Sequence, residues 1–83
     1  MGQMNIRDAV RQRILDLCDA HSMSINKMAV ECGLTQSTIS SIINTGSKNP
    51  TLSTVAKICG GLGISIRTFF DDELFENTEQ EIV

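Results

Sequence analysis

From Ser24 to Asn44 the chain reads SINKMAVECGLTQSTISSIIN, two short apolar stripes on either side of a three-residue break. Ile25, Met28, Ala29 and Cys32 fall at i, i+3, i+4 and i+7, which marks one face of a short helix. Ile39, Ile42 and Ile43 repeat the i, i+3, i+4 spacing on a second helix. Gly33 stands where a left-handed residue ends the first helix without a Cβ penalty. Thr35 offers an N-cap hydroxyl to the next. Ala29 is small, as helices crossing through the turn Gly33-Leu34-Thr35 require. The pattern predicts a helix-turn-helix.

The side of the second helix turned away from its isoleucines carries the chemistry. At 100° per residue, Ser37, Ser41 and Asn44 lie opposite that stripe, Ser40 lies on its flank, and Gln36 sits in the first turn. The exposed positions from 35 to 45 contain no charge, whereas an ordinary solvated face would carry Lys and Glu, the better helix formers. Short uncharged donors and acceptors suit the major groove, where base edges present a hydrogen-bonding code. Glutamine can bond adenine at two points, and serine and threonine can bond several bases. The competing reading is a polar helix of marginal stability with no ligand.

Eighty-three residues bound the chain to one small domain. Helices suit it, because no alternating run with a tight hairpin turn appears. Neither a signal peptide nor a membrane-spanning apolar run is recognisable, so a cytoplasmic protein with no membrane partner is expected. Cys18, Cys32 and Cys59 are an odd number without Cys-x-x-Cys spacing, and each falls on an apolar stripe. They read as reduced core thiols rather than metal ligands. No metal or other cofactor is expected. With no glycine-rich phosphate loop and no nucleophile beside a base, an enzyme is not expected either.

Net charge is −3, which by itself argues against a polyanionic partner. Its distribution reverses the inference. Residues 1–70 hold seven basic and four acidic side chains, whereas 71–83 hold six acidic and no basic ones. The body is mildly basic, and the acidity sits at one end. The division expected is a domain over 1–72 and an acidic tail over 73–83.

Elsewhere, a first helix is predicted from about Asn5 to Ala20, with Ile6, Val10, Ile14, Leu17 and Cys18 inward and Arg7, Asp8 and Arg11 facing water. His21 and Ser22 break it. A fourth helix follows Pro50, capped by Thr51, with Leu52, Val55, Ile58, Cys59 and Leu62 buried and glycines weakening its end. Ser65 caps a short fifth helix holding Ile66, Phe69 and Phe70, which is expected to continue through Leu74 and Phe75 before fraying. The fold expected is all-α, a compact bundle of five helices.

Taken together, Met23-Ser24, Met28-Ala29, Gly33-Leu34-Thr35, Ser37-Thr38-Ile39-Ser40, Asn49-Pro50-Thr51-Leu52, Leu62-Gly63-Ile64-Ser65 and Phe69-Phe70 resemble the Cro and lambda-repressor-type helix-turn-helix regulators, the XRE class. The resemblance covers roughly Ile6 to Asp71. It implies a five-helix DNA-binding domain acting as a dimer on an operator of two half-sites. It implies base contacts from Gln36, Ser37 and Ser41, and phosphate contacts from Thr35, Thr38, Asn44, Lys48 and Asn49. Lys27 is a cationic neighbour that could add a phosphate contact. Two positions depart from the family's habit. Ile25 stands where many members place a phosphate-touching Gln. Cys18 and Ile43 stand where a buried Arg–Glu pair is common, and the two are expected to touch. Replacing both partners of such a pair leaves no stranded charge.

The function expected is a sequence-specific DNA-binding transcriptional regulator, most simply a repressor. Ile66, Phe69, Phe70, Leu74 and Phe75 form more apolar surface than one small core needs, which suggests a homodimer contact. The competing role for Phe69 and Phe70 is to close the core against the first helix. The acidic tail could lower non-specific DNA binding, dock a partner or simply solvate the chain end. The alternative function is an antitoxin or protein-interaction module in which DNA binding is secondary or lost.

Overall fold

Asn5 stands just outside the first helix with extended backbone, and its side-chain oxygen accepts from the Asp8 amide at 2.8 Å. That cap opens α1, Ile6–Ala20. The computed structural model describes residues 4–43, 51–76 and 78–79. After α1 come α2, Ile25–Cys32, and α3, Gln36–Ile43. Then follow α4, Leu52–Leu62, and α5, Ile66–Phe70. A 3-10 turn at Glu73–Phe75 completes the helical part. The architecture is an all-α bundle of five helices, as expected.

The stripes read from the sequence meet in one core. Val10, Ile14, Leu17 and Cys18 of α1 join Met28, Ala29 and Cys32 of α2, and Ile39 and Ile42 of α3. Val55, Ile58, Cys59 and Phe69 complete it, and Ile43 packs against the same cluster that holds Cys18. No polar or charged residue is buried outright among the described residues. The thiols are therefore unpaired by disulfides and held in apolar surroundings. Burial pushes each of them above the ordinary thiol range.

α2 and α4 cross at close range. A Cβ built on Gly61 would overlap Cys32 Sγ and lie 2.9 Å from Cys32 Cα, so only hydrogen fits between the two backbones. Cys32 Sγ also lies 3.6 Å from the Ile58 carbonyl oxygen and donates to it. Gly61 was expected only to weaken the helix end; its role is close approach.

Four expectations need correction. Ile6 and Leu52 share the inward stripes by spacing, yet Leu52 is 74% exposed and Ile6 also lies at the surface. Burial on α4 starts at Val55, and Leu52 in its first turn stays open, which periodicity alone does not reveal. Arg7, Asp8 and Arg11, expected to face water, are all half-buried.

The third correction is that α5 stops at Phe70 instead of running on through Leu74 and Phe75. The reason is Arg13. Its Nε donates to the Phe69 carbonyl at 2.7 Å and a terminal nitrogen donates to the Thr68 carbonyl at 2.9 Å. Those carbonyls are the ones a continuing helix would need for its next turn. The other terminal nitrogen holds Asp72 at 3.2 Å, and the second Asp72 oxygen accepts from the Leu74 amide, starting the 3-10 turn. Phe75 then folds back, with its ring 4.9 Å from Phe70 and 6.2 Å from Phe69.

The fourth is a pair of strands that no alternation announces. β1, Met4–Asn5, and β2, Thr78–Glu79, pair in parallel, Met4 opposite Thr78 and Asn5 opposite Glu79. At two residues each they give no periodic signal, and their pairing exists only because the bundle brings the two ends together.

Candidate nucleic-acid interface

α2 ends as its composition demands. Gly33 adopts φ 69°, ψ 33°, in the left-handed region. The Leu34 amide donates to the Ala29 carbonyl at 2.9 Å and the Gly33 amide to that of Val30 at 3.3 Å, the double bond of a Schellman close. Leu34 turns onto the core, and the chain reverses within Gly33-Leu34-Thr35. Thr35 Oγ1 then accepts from the Thr38 amide at 3.1 Å and lies 3.0 Å from the Thr38 hydroxyl. α3 is thus started by a cap and held down by Ile39 and Ile42.

That anchoring fixes which side of α3 faces outward. Gln36, Ser37, Ser40 and Ser41 are exposed, while Thr38 and Ile43 are half-buried. No residue from 35 to 43 is charged. The three residues expected to touch bases, Gln36, Ser37 and Ser41, therefore lie together on the open face of one helix. Its first turn lies at the positive end of the helix dipole, a favourable place for a phosphate.

The positions expected to touch phosphate divide. Thr35 is exposed beside the start of α3, but its hydroxyl is already shared with the Thr38 hydroxyl and amide. Lys27 is exposed on α2 and forms an i,i+4 ion pair with Glu31 at 3.4 Å, which a phosphate would have to displace. Ile25 packs against the core, and its neighbour Asn26 is exposed at the same helix end. Asn44, Lys48 and Asn49 lie outside the described residues. Of the dimer candidates, Ile66 is 49% exposed, and Phe70, Leu74 and Phe75 are half-buried. Phe69 is fully enclosed and closes the core, so it has no surface for a partner.

Arg13 escaped the sequence reading although a signal was present. Val10, Arg13, Ile14 and Leu17 stand at i, i+3, i+4 and i+7, so an arginine occupies an inward position of α1. A cation there needs buried acceptors, and the end of α5 supplies them.

Two amphipathic helices joined by a tight glycine turn, the second presenting an uncharged polar face, define a helix-turn-helix domain. The sequence model for the Cro/C1-type HTH DNA-binding domain matches residues 13–74, and the chain belongs to that family. Its fold is similar to the crystal structure of the prophage Lp1 protein 11, with a TM-score of 0.81 and 34% sequence identity, covering 88% of this chain and 96% of that one. A search of curated proteins gave no match. Among the described residues no helix is long and apolar enough to cross a membrane, and no group of three or more His, Cys, Asp or Glu could hold a metal ion.

Proposed function

We propose that this protein is a sequence-specific transcriptional regulator that reads the major groove with α3. The observation that carries the reading is the exposed, charge-free row of Gln36, Ser37 and Ser41, on a helix whose other side is anchored in the core. Phosphate contacts from Thr35, Thr38, Lys27, Asn44, Lys48 and Asn49 would set the register, and the bases would set the sequence. With so few cations, one subunit binds modestly. Specific binding then calls for a homodimer whose recognition helices meet half-sites about one DNA turn, ~34 Å, apart. The dimer contact in this reading is the exposed Ile66 with the half-buried Phe70, Leu74 and Phe75. Occupying an operator obstructs transcription by volume alone, so repression is the simplest outcome.

The test is a pair of substitutions measured by fluorescence anisotropy on a selected operator. Gln36→Ala removes a base contact, and we expect it to cost about 1–3 kcal/mol and to relax discrimination at one position. Lys48→Ala is expected to weaken all sequences alike and to make the salt dependence shallower by about one unit of slope. Parent-like binding by both variants would overturn the groove assignment. Sedimentation equilibrium at high micromolar concentration tests the dimer; a pure monomer there removes it.

A second reading, an antitoxin or protein-interaction module, draws on a different observation. Val30 is 79% exposed on α2 and Leu52 similarly open on α4, apolar side chains that a protein partner could cover. A stable protein complex that forms without any affinity for duplex DNA would favour it.

A further inference from the structure

We infer that the homodimer forms by reciprocal exchange: the chain from Asp72 to Glu79 leaves its own α1 and takes the same place on a second copy. The inference rests on the homodimer proposed above and names the surface that builds it. A stable contact buries about 800 Å² on each partner, roughly a seventh of this chain's 5538 Å² surface. The apolar face around α5 falls well short of that when two closed chains simply meet. A whole aromatic side chain offers about 150–250 Å², and Phe70 and Phe75 already pack against the core and each other. Of the residues on that face, only Ile66 is open. Charge argues the same way. Asp71, Glu73 and Glu76 are exposed, and no basic residue stands between 71 and 83. A two-fold contact sets a patch against its own copy, so two such segments laid face to face repel each other.

Exchange removes both difficulties, because much of what holds the segment lies far away in sequence. Asp72 pairs with Arg13 at 3.2 Å, and Thr78 and Glu79 lie opposite Met4 and Asn5 in a parallel ladder. The Phe75 ring rests 4.9 Å from Phe70. The link to the bundle is Asp71, exposed where α5 ends. A change of backbone angles there redirects the segment, and each contact re-forms with Arg13, Met4, Asn5 and Phe70 of the second copy. Asp72 then meets a cation of the other chain, and contacts of native quality become the interface. What remains to be offset is the entropy of association, so the exchanged form accumulates with concentration.

Met4→Cys combined with Thr78→Cys in the full-length chain tests this, since ladder partners stand about 4.8 Å apart, within disulfide reach. Oxidised at high micromolar concentration, the variant should run at doubled mass on a denaturing gel without reductant. Peptide mapping should locate the link between positions 4 and 78, because Cys18, Cys32 and Cys59 are buried. The unsubstituted chain gives a second readout. When isotope-labelled and unlabelled copies are refolded together, filtered NOE spectra should show Phe70–Phe75 ring contacts between labelled and unlabelled chains. A sedimenting dimer whose link and ring contacts both stay within one chain overturns exchange and leaves the homodimer and the DNA reading standing. A pure monomer at high micromolar concentration overturns the homodimer as well.

Discussion

Three residues of similar chemistry begin three consecutive helices in the same way. Thr35, Thr51 and Ser65 each accept from the amide three residues on, at 3.1, 3.1 and 3.0 Å. Each also meets the hydroxyl of that residue, Thr38, Thr54 or Thr68, at 3.0 to 3.1 Å. A threonine thus stands at the position that a capping box gives to Glu or Gln. The starts of α3, α4 and α5 were legible because a cap is a local device. Glycines show the limit of that locality. Gly33 and Gly63 stop helices by adopting positive φ, a role that their place after an apolar stripe announces. Gly61 does something its neighbours in sequence cannot reveal. We expect Gly61→Ala to destabilise the fold by about 1–3 kcal/mol in urea unfolding, by forcing α2 and α4 apart. Adding Cys32→Ala should recover only part of that loss, since the Cys32 Cα remains 2.9 Å from the new methyl.

At the level of elements, α2, α3 and their turn followed from periodicity and punctuation almost residue for residue. Ile25–Cys32 and Gln36–Ile43 are the helices that the stripes define. The segment after α5 did not follow, because its course is set by an arginine 59 positions earlier in the chain. Arg13 occupies the Thr68 and Phe69 carbonyls and pairs with Asp72, and its side chain is only 14% exposed. Arg13→Met is expected to cost roughly 2–3 kcal/mol, the worth of hydrogen bonds to a charged donor plus the carbonyls left unmet. Asp72→Asn keeps the oxygen that caps the 3-10 turn and loses only a partly solvated charge, so a cost below about 1 kcal/mol is expected. Equal losses in the two variants, read from urea midpoints, would show that the ion pair and not the carbonyl ties hold α5.

On the scale of the whole molecule, one cluster of buried side chains unites all five helices, and three of its members are thiols. Burial raises the pKa of Cys18, Cys32 and Cys59 from the ordinary 9.0. For Cys32 the neighbouring Cys18, Glu31 and Cys59 push in the same direction and the Gly61 backbone opposes them. In the unfolded chain these thiols lose protons near their ordinary value, so above it the unfolded state binds fewer protons than the folded one. The thiols' contribution to stability then falls as pH rises past about 9 and does not change below that. Urea unfolding at pH 7, 9 and 10 checks this, and a Cys18→Ala, Cys59→Ala variant should show a shallower alkaline decline.

Local rules and long-range contacts divide the molecule between them. Periodicity, caps and a glycine turn sufficed for the helix-turn-helix, the five-helix bundle and the polar row on α3, because each depends on residues within four or five positions of one another. Tertiary structure decided what depends on distant segments meeting. It left Leu52 in solvent, enclosed Phe69, brought Gly61 against Cys32, ended α5 with Arg13 and paired Met4–Asn5 with Thr78–Glu79. A stripe of apolar residues says which face turns inward. It carries no information about where the neighbouring element ends or which backbone comes close enough to exclude a methyl group.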